Sequence, residues 1–252
     1  MATPVTSGCE PFSAGGGELG VVVLHGFTGC PHSLRPIAEA LANRGYAVEL
    51  PLLPGHGTAV EDLIPMRWED WAREAAAAHD ALAARCRRVA AVGLSMGGGL
   101  AAWLAEQRPE LAALVLVNPL VQPIAKELRD GVTDLLAAGA VTIEGVANDI
   151  AKPGGDEYGY STLPIEAAAS LMDGLEDVAG ALGTITCPTL VLTSRQDHVV
   201  STDNSELVVA TVPGRVEHHW LERSYHVATL DFDAELVESE TCRFLDAAFE
   251  SE

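Results

Sequence analysis

Basic residues are scarce in this 252-residue chain: 15 Lys and Arg stand against 36 Asp and Glu, a formal net charge of −21. Phosphate contacts need clustered cations, so nucleic acid is excluded as a partner. An anionic membrane surface is disfavoured for the same reason, and a neutral substrate fits better than an anionic one. Aromatic residues are few, at 5%. No apolar run approaches the roughly 18 residues of a membrane span, so no stable membrane insertion is expected. The opening residues 1–8 lack a basic stretch followed by an apolar one, which argues against a signal peptide. The five cysteines (Cys9, Cys30, Cys86, Cys187, Cys242) are odd in number and far apart. That spacing suits neither a disulfide framework nor a zinc site, and predicts free thiols in a reducing compartment, hence a soluble cytoplasmic protein. No H-E-x-x-H or comparable spacing occurs, so neither a metal nor another cofactor is implied.

What the chain does contain is enough apolar residue, 48%, for a sizeable core. Gly20–Leu24 and Arg88–Gly93 are Val-rich runs without polar alternation, the mark of strands covered on both faces. Further strands are predicted at Tyr46–Leu50, Ala113–Val117, Thr189–Thr193 and Val216–Leu221. Segments of helical period lie between them: one capped by Ser33 with Pro36 in its first turn, then Trp68–Arg85, Met96–Gln107, one opened by an Asp203/Glu206 capping box, and Asp233–Phe249 with Val237, Phe244 and Leu245 inward. Strand and helix alternate, which predicts an α/β fold with a mostly parallel central sheet and helices on both faces. The Gly-rich stretch from Leu120 to Pro164 breaks the alternation and is too long for an idle loop. It reads as an inserted cap, 120–164, in a core formed by 1–119 and 165–252. Ile124, Leu128, Leu135, Leu136, Ile143 and Val146 are candidates for its apolar inner side.

The sharpest chemical signal is Gly93-Leu94-Ser95-Met96-Gly97, set between a Val-rich strand and an Ala-rich helix. A serine on such a turn is presented above the sheet at a helix N-terminus, where developing negative charge is favoured. A hydroxyl attacks only if a base takes its proton, and the base needs an orienting acid. His226 follows the last strand and Asp197 follows the strand at 189–193, both at the carboxyl edge of the sheet where ligands of open α/β folds bind. His198, His218 and His219 compete less well: the first adjoins the acid, and the others lie within a strand. Asp203 reads as a helix cap, and Asp231 and Asp233 as a surface turn. The oxyanion of acyl transfer needs donors, for which the N–H groups of Met96 and Phe27 are candidates. Phe27 lies in the loop His25-Gly26-Phe27-Thr28-Gly29, where His25 reads as a loop-stabilising residue.

These residues, with Pro54-Gly55-His56-Gly57, Asp197-His198-Val199-Val200 and the segment 224–231, resemble the α/β-hydrolase superfamily, and within it the bacterial carboxylesterases and monoacylglycerol lipases. The resemblance covers nearly the whole chain. It implies Ser95, Asp197 and His226 as a triad, Phe27 and Met96 as the oxyanion hole, and a small cap. It also implies that Glu157, in Gly154-Gly155-Asp156-Glu157-Tyr158-Gly159, occupies the place of a glutamate that binds the glycerol head group. The expected function is hydrolysis of small neutral carboxylic esters of short or medium chain, monoacylglycerols foremost. A cofactor-free perhydrolase or haloperoxidase could use the same triad. A non-catalytic ligand-binding protein of this fold would be expected to lack a triad member, and none is missing.

Overall fold

The computed structural model describes residues 3–250; Met1 and Ala2, the start of the N-terminal segment read above, lie outside the described residues. Nine strands form among the described residues: β1 (Phe12–Ala14), β2 (Leu19–Leu24), β3 (Ala47–Leu50), β4 (Arg88–Leu94), β5 (Leu114–Val117), β6 (Thr142–Glu144), β7 (Thr162–Pro164), β8 (Thr189–Ser194) and β9 (Val216–Leu221). The helices are α1 (Arg35–Asn43), α2 (Val60–Leu63), α3 (Trp68–Ala83), α4 (Met96–Gln107), α5 (Lys126–Ala137), α6 (Ile165–Ala181), α7 (Asp203–Thr211) and α8 (Ala234–Glu250). Seven strands make one sheet in the order β1-β3-β2-β4-β5-β8-β9, parallel except for β1, which pairs antiparallel with β3. β6 and β7 pair separately.

Strand residues point alternately to opposite faces, so a strand with no polar alternation needs cover on both. Val22, Leu24, Ala91 and Leu116 pack with α3, α4 and α6 on one face. Val21, Val23, Val92 and Val117 pack with α1 and α8 on the other, where Val237, Phe244 and Leu245 are buried as expected. The chain runs from β2 outward to β3, then returns to β4 and proceeds the other way. The carboxyl ends of β2 and β4 therefore border the topological switch point, the crevice in which α/β sheets bind ligands.

Several local expectations give way. Residues 31–34 form a 3₁₀ turn, so α1 starts at Arg35, and Ser33 Oγ bonds Cys30 C=O at 3.1 Å instead of capping a helix. Thr202 enters α7 already in the right-handed helical region, which leaves no extended residue to cap, and the Asp203/Glu206 box does not form. β1 was not foreseen; three residues at a sheet edge carry little pattern.

The cysteines require the larger correction. Cys9 and Cys30, expected as free thiols, form a disulfide with Cα atoms 5.3 Å apart. Sequence spacing did not report this proximity because the N-terminal segment folds back over the sheet edge: Thr6 N–H bonds Gly57 C=O, and the turn Cys9 N–H to Thr6 C=O aims Cys9 at the loop after β2. Cys86, Cys187 and Cys242 are free and buried. The cysteines thus no longer argue for a reducing compartment. Among the described residues no helix is long and apolar enough to cross a membrane.

The bridge spans 21 positions, and closing a loop of that size removes about 3 kcal/mol of freedom from the unfolded chain. Reduction, or Cys9→Ala, is expected to lower the thermal midpoint by about 6–12 °C in a chain of this size. Circular dichroism melts with and without reductant measure it; an unchanged midpoint would refute the staple.

Candidate active site

Ser95 is the single residue between β4 and α4, with φ 57° and ψ −123°. A non-glycine residue rarely adopts this backbone, at a cost of about 1–3 kcal/mol. Packing forces it. A Cβ on Gly97 would lie 2.0 Å from Leu24 C=O, and one on Gly93 2.0 Å from Gly97 C=O. With glycine at both positions, α4 begins directly against the ends of β2 and β4. The turn this leaves holds Ser95 over the switch point, 8% exposed.

His226 occupies the turn between β9 and α8 and is 6% exposed. Its Nδ1 lies 2.7 Å from Asp197 Oδ2, whose side chain is 2% exposed. Asp197 Oδ1 accepts the N–H groups of Val199 (2.8 Å) and Val200 (2.7 Å), so the carboxylate is fixed by its own loop. A carboxylate there selects the tautomer with hydrogen on Nδ1 and leaves Nε2 to accept a proton. Ser95 and His226 line the same cavity. The competitors go elsewhere: His198 pairs with Asp149 at 2.9 Å, His218 Nε2 lies 2.9 Å from Thr193 Oγ1, and His219 faces Glu240 at 3.8 Å.

Asp231 and Asp233, expected on a surface turn, are buried. Backbone N–H groups draw them inward. Asp231 accepts those of Ala151, Lys152, Tyr225 and Phe232, and Asp233 those of Arg223 and Ser224. Asn118, at the end of β5, was missed. It has φ 42°, a conformation asparagine tolerates. Its Nδ2 donates to His226 C=O at 2.7 Å while its Oδ1 accepts Ser194 N–H at 2.7 Å. The only hint in the sequence is an Asn directly after a buried strand beside the serine.

The loop after β2 crosses close to the serine: a Cβ on Gly26 would sit 3.3 Å from Ser95 Cβ. Among the described residues no acceptor takes the N–H of Phe27 or of Met96. Two such donors beside a serine can hold an oxyanion. His25 braces the loop as expected, its Nδ1 to Gly26 C=O (3.0 Å) and its Nε2 accepting Leu53 N–H (3.1 Å). Burial, then the neighbouring His56, pulls its pKa down to about 3, so it stays neutral. Phe27 packs edge-on against His56 and Trp71.

The cavity is about 250 Å³, with Ile124, Val146, Leu171, Met172 and Leu175 in its wall. Of the six residues expected on the inner side of 120–164, Ile124 and Val146 line it. Leu128, Leu135, Leu136 and Ile143 do not; Leu128 lies exposed on α5, which is tied to α6 by Arg129 bonding Asp173 and Met172 C=O, and Ile143 is exposed on β6. Glu157 also lines the cavity. Burial, opposed by His226 and reinforced by Asp149 and Asp156, lifts its pKa to about 7. No donor among the described residues takes its carboxylate oxygens, and a Cβ on Gly29 would be 3.4 Å from Oε2.

The family model described as serine aminopeptidase, S33, matches residues 18–233. A thermostable monoacylglycerol lipase of Bacillus sp. (strain H-257) is 36% identical over 244 residues, covering 96% of both chains. A carboxylesterase of Bacillus subtilis (strain 168) is 28% identical over 239 residues, 94% of this chain and 96% of its own. A solved structure described with the metagenome-derived lipolytic enzymes LipS and LipT superposes with a TM-score of 0.91 at 36% identity, covering 97% of this chain and 100% of that one. The fold is that of the α/β-hydrolases, and the chain belongs to their serine aminopeptidase S33 family.

Proposed function

We propose that this α/β-hydrolase is a serine carboxylic ester hydrolase that cleaves short- and medium-chain esters, monoacylglycerols foremost. The observation that carries the reading is the His226–Asp197 pair facing the apolar cavity lined by Ser95. Ser95 Oγ attacks the ester carbonyl carbon while His226 Nε2 takes its proton. The oxyanion rests on the N–H groups of Phe27 and Met96. On collapse His226 returns the proton to the departing alcohol, and the acyl group stays on Ser95. A water, deprotonated by His226, then releases the acid and restores the serine. The Bacillus relatives, named for a monoacylglycerol lipase and a carboxylesterase, support the substrate class.

The segment 120–164 serves as a cap in this reading: Ile124 and Val146 on it face the acyl chain together with Leu171, Met172 and Leu175 of α6. Glu157 faces the other end of the substrate. Among the described residues no donor takes its carboxyl, in a mostly apolar cavity, so it is suited to accept hydrogen bonds from the two free hydroxyls of a glycerol monoester. Such charged-acceptor bonds are worth about 1.5–3 kcal/mol each.

Ser95→Ala tests the nucleophile. It is expected to fold as wild type and to lose about 10⁶ in kcat; steady-state hydrolysis of p-nitrophenyl butyrate measures this, and a tenth of wild-type turnover in the variant would overturn the reading.

Glu157 sets a pH-dependent preference. Below about pH 7 its carboxyl is protonated, and above it the carboxylate can accept from both hydroxyls. The kcat/KM for a monoacylglycerol divided by that for p-nitrophenyl butyrate is expected to rise through about pH 7, a ratio in which the ionisation of His226 cancels. Glu157→Gln should flatten the ratio, and Glu157→Ala should lower it by about ten- to a hundredfold. Equal effects on both substrates would remove Glu157 from head-group recognition.

A further inference from the structure

Asp149 lies in the 120–164 segment, far in sequence from 197 and 226, with its side chain 11% exposed. Its Oδ2 accepts the N–H of His226 at 3.0 Å and that of His198 at 3.3 Å, and its Oδ1 faces His198 Nδ1 at 2.9 Å. Its own C=O accepts Val227 N–H at 3.1 Å. One carboxylate therefore gathers the main chain of the two loops that carry the histidine and, one residue before His198, the acid. Among the described residues no Lys or Arg pairs with it, so a largely buried carboxylate is committed to backbone N–H groups and the His198 ring. The next residues continue the seam: the N–H groups of Ala151 and Lys152 bond Asp231, whose Oδ2 also accepts Tyr225 N–H at 2.8 Å. The histidine's main chain is thus held from both sides, its N–H by Asp149 and its C=O by Asn118 at 2.7 Å.

We infer that Asp149 is a positioning residue for ester hydrolysis: it fixes the loop of His226 against the loop of Asp197, so that the Nδ1–Oδ2 contact and the aim of Nε2 are set from the 120–164 segment. The inference rests on the proposed roles of Ser95, Asp197 and His226. Without Asp149 the loops keep the 2.7 Å contact, the Gln196 side chain on Glu222 C=O and the Asn118 bridge to His226 C=O, but the N–H side of His226 is released and the imidazole can shift. A misplacement of about 1 Å costs about a hundredfold in rate. The loss falls on proton transfer and not on substrate binding.

Asp149→Ala and the near-isosteric Asp149→Asn, which keeps one acceptor oxygen, test this beside Ser95→Ala. For p-nitrophenyl acetate, too short to depend on the acyl wall, Asp149→Ala is expected to lose about ten- to a hundredfold in kcat with KM within about twofold, and Asp149→Asn less. The rate of Ser95 phosphonylation by an organophosphonate should fall in parallel. If Asp149 only fastens the 120–164 segment, KM rises on a long-chain ester while kcat on the acetate stays within twofold; that result overturns the inference. Should Asp149→Ala fail to fold, the same two readouts on Asp149→Asn decide. An active Ser95→Ala would instead remove the triad reading itself, whereas an inactive Ser95→Ala beside fully active Asp149 variants removes only this inference.

Discussion

Ser95 holds its backbone at φ 57° and ψ −123° because α4 is pressed against the ends of β2 and β4, and the rest of the site depends on that contact. Where a Cβ on Gly97 would collide with Leu24 C=O, glycine lets the helix begin without a linker. The strain of about 1–3 kcal/mol is small beside the burial of β2 and β4 on both faces. Two consequences follow from the same closeness. Among the described residues no acceptor takes Met96 N–H, at the first position of α4, and the loop after β2 that carries Phe27 passes close to Ser95. The proposed nucleophile and oxyanion donors are thus products of one packing arrangement.

The acids of this chain divide into two populations. Most of the 36 lie outside and account for the charge of −21. A few are buried and hold backbone: Asp197, Asp231 and Asp233 around the histidine, with Asp149 nearly so. A buried carboxylate is stable when N–H groups satisfy it, and here those groups belong to loops at the carboxyl edge of the sheet. Glu157 is the contrast. Without such donors it is lifted toward neutrality, which leaves its oxygens free for a ligand. That difference in satisfaction separates the carboxylates that build the site from the one proposed to read the substrate.

The central strands were legible because complete burial suppresses polar alternation, and the serine turn because its glycines answer a steric demand set by immediate neighbours. His226 and Asp197 could be picked out because both follow strands at one edge. What escaped depended on contacts between distant segments. The Cys9–Cys30 bridge, the burial of Asp231 and the role of Asn118 each need the chain folded before partners exist. The same limit applied to 120–164. Its apolar residues were visible, but which of them reach the cavity depends on how the segment folds: Ile124 and Val146 line it, and Leu128, Leu135, Leu136 and Ile143 do not.

The central claim is that one serine, raised by this packing, becomes acylated. Peptide mapping by mass spectrometry after treatment with a p-nitrophenyl organophosphonate tests it most directly. The account predicts a single adduct on Ser95, formed in the folded protein, abolished by prior unfolding and strongly slowed in His226→Ala. Esterase activity that persists with Ser95 unlabelled, or a stoichiometric adduct on another residue, would contradict it.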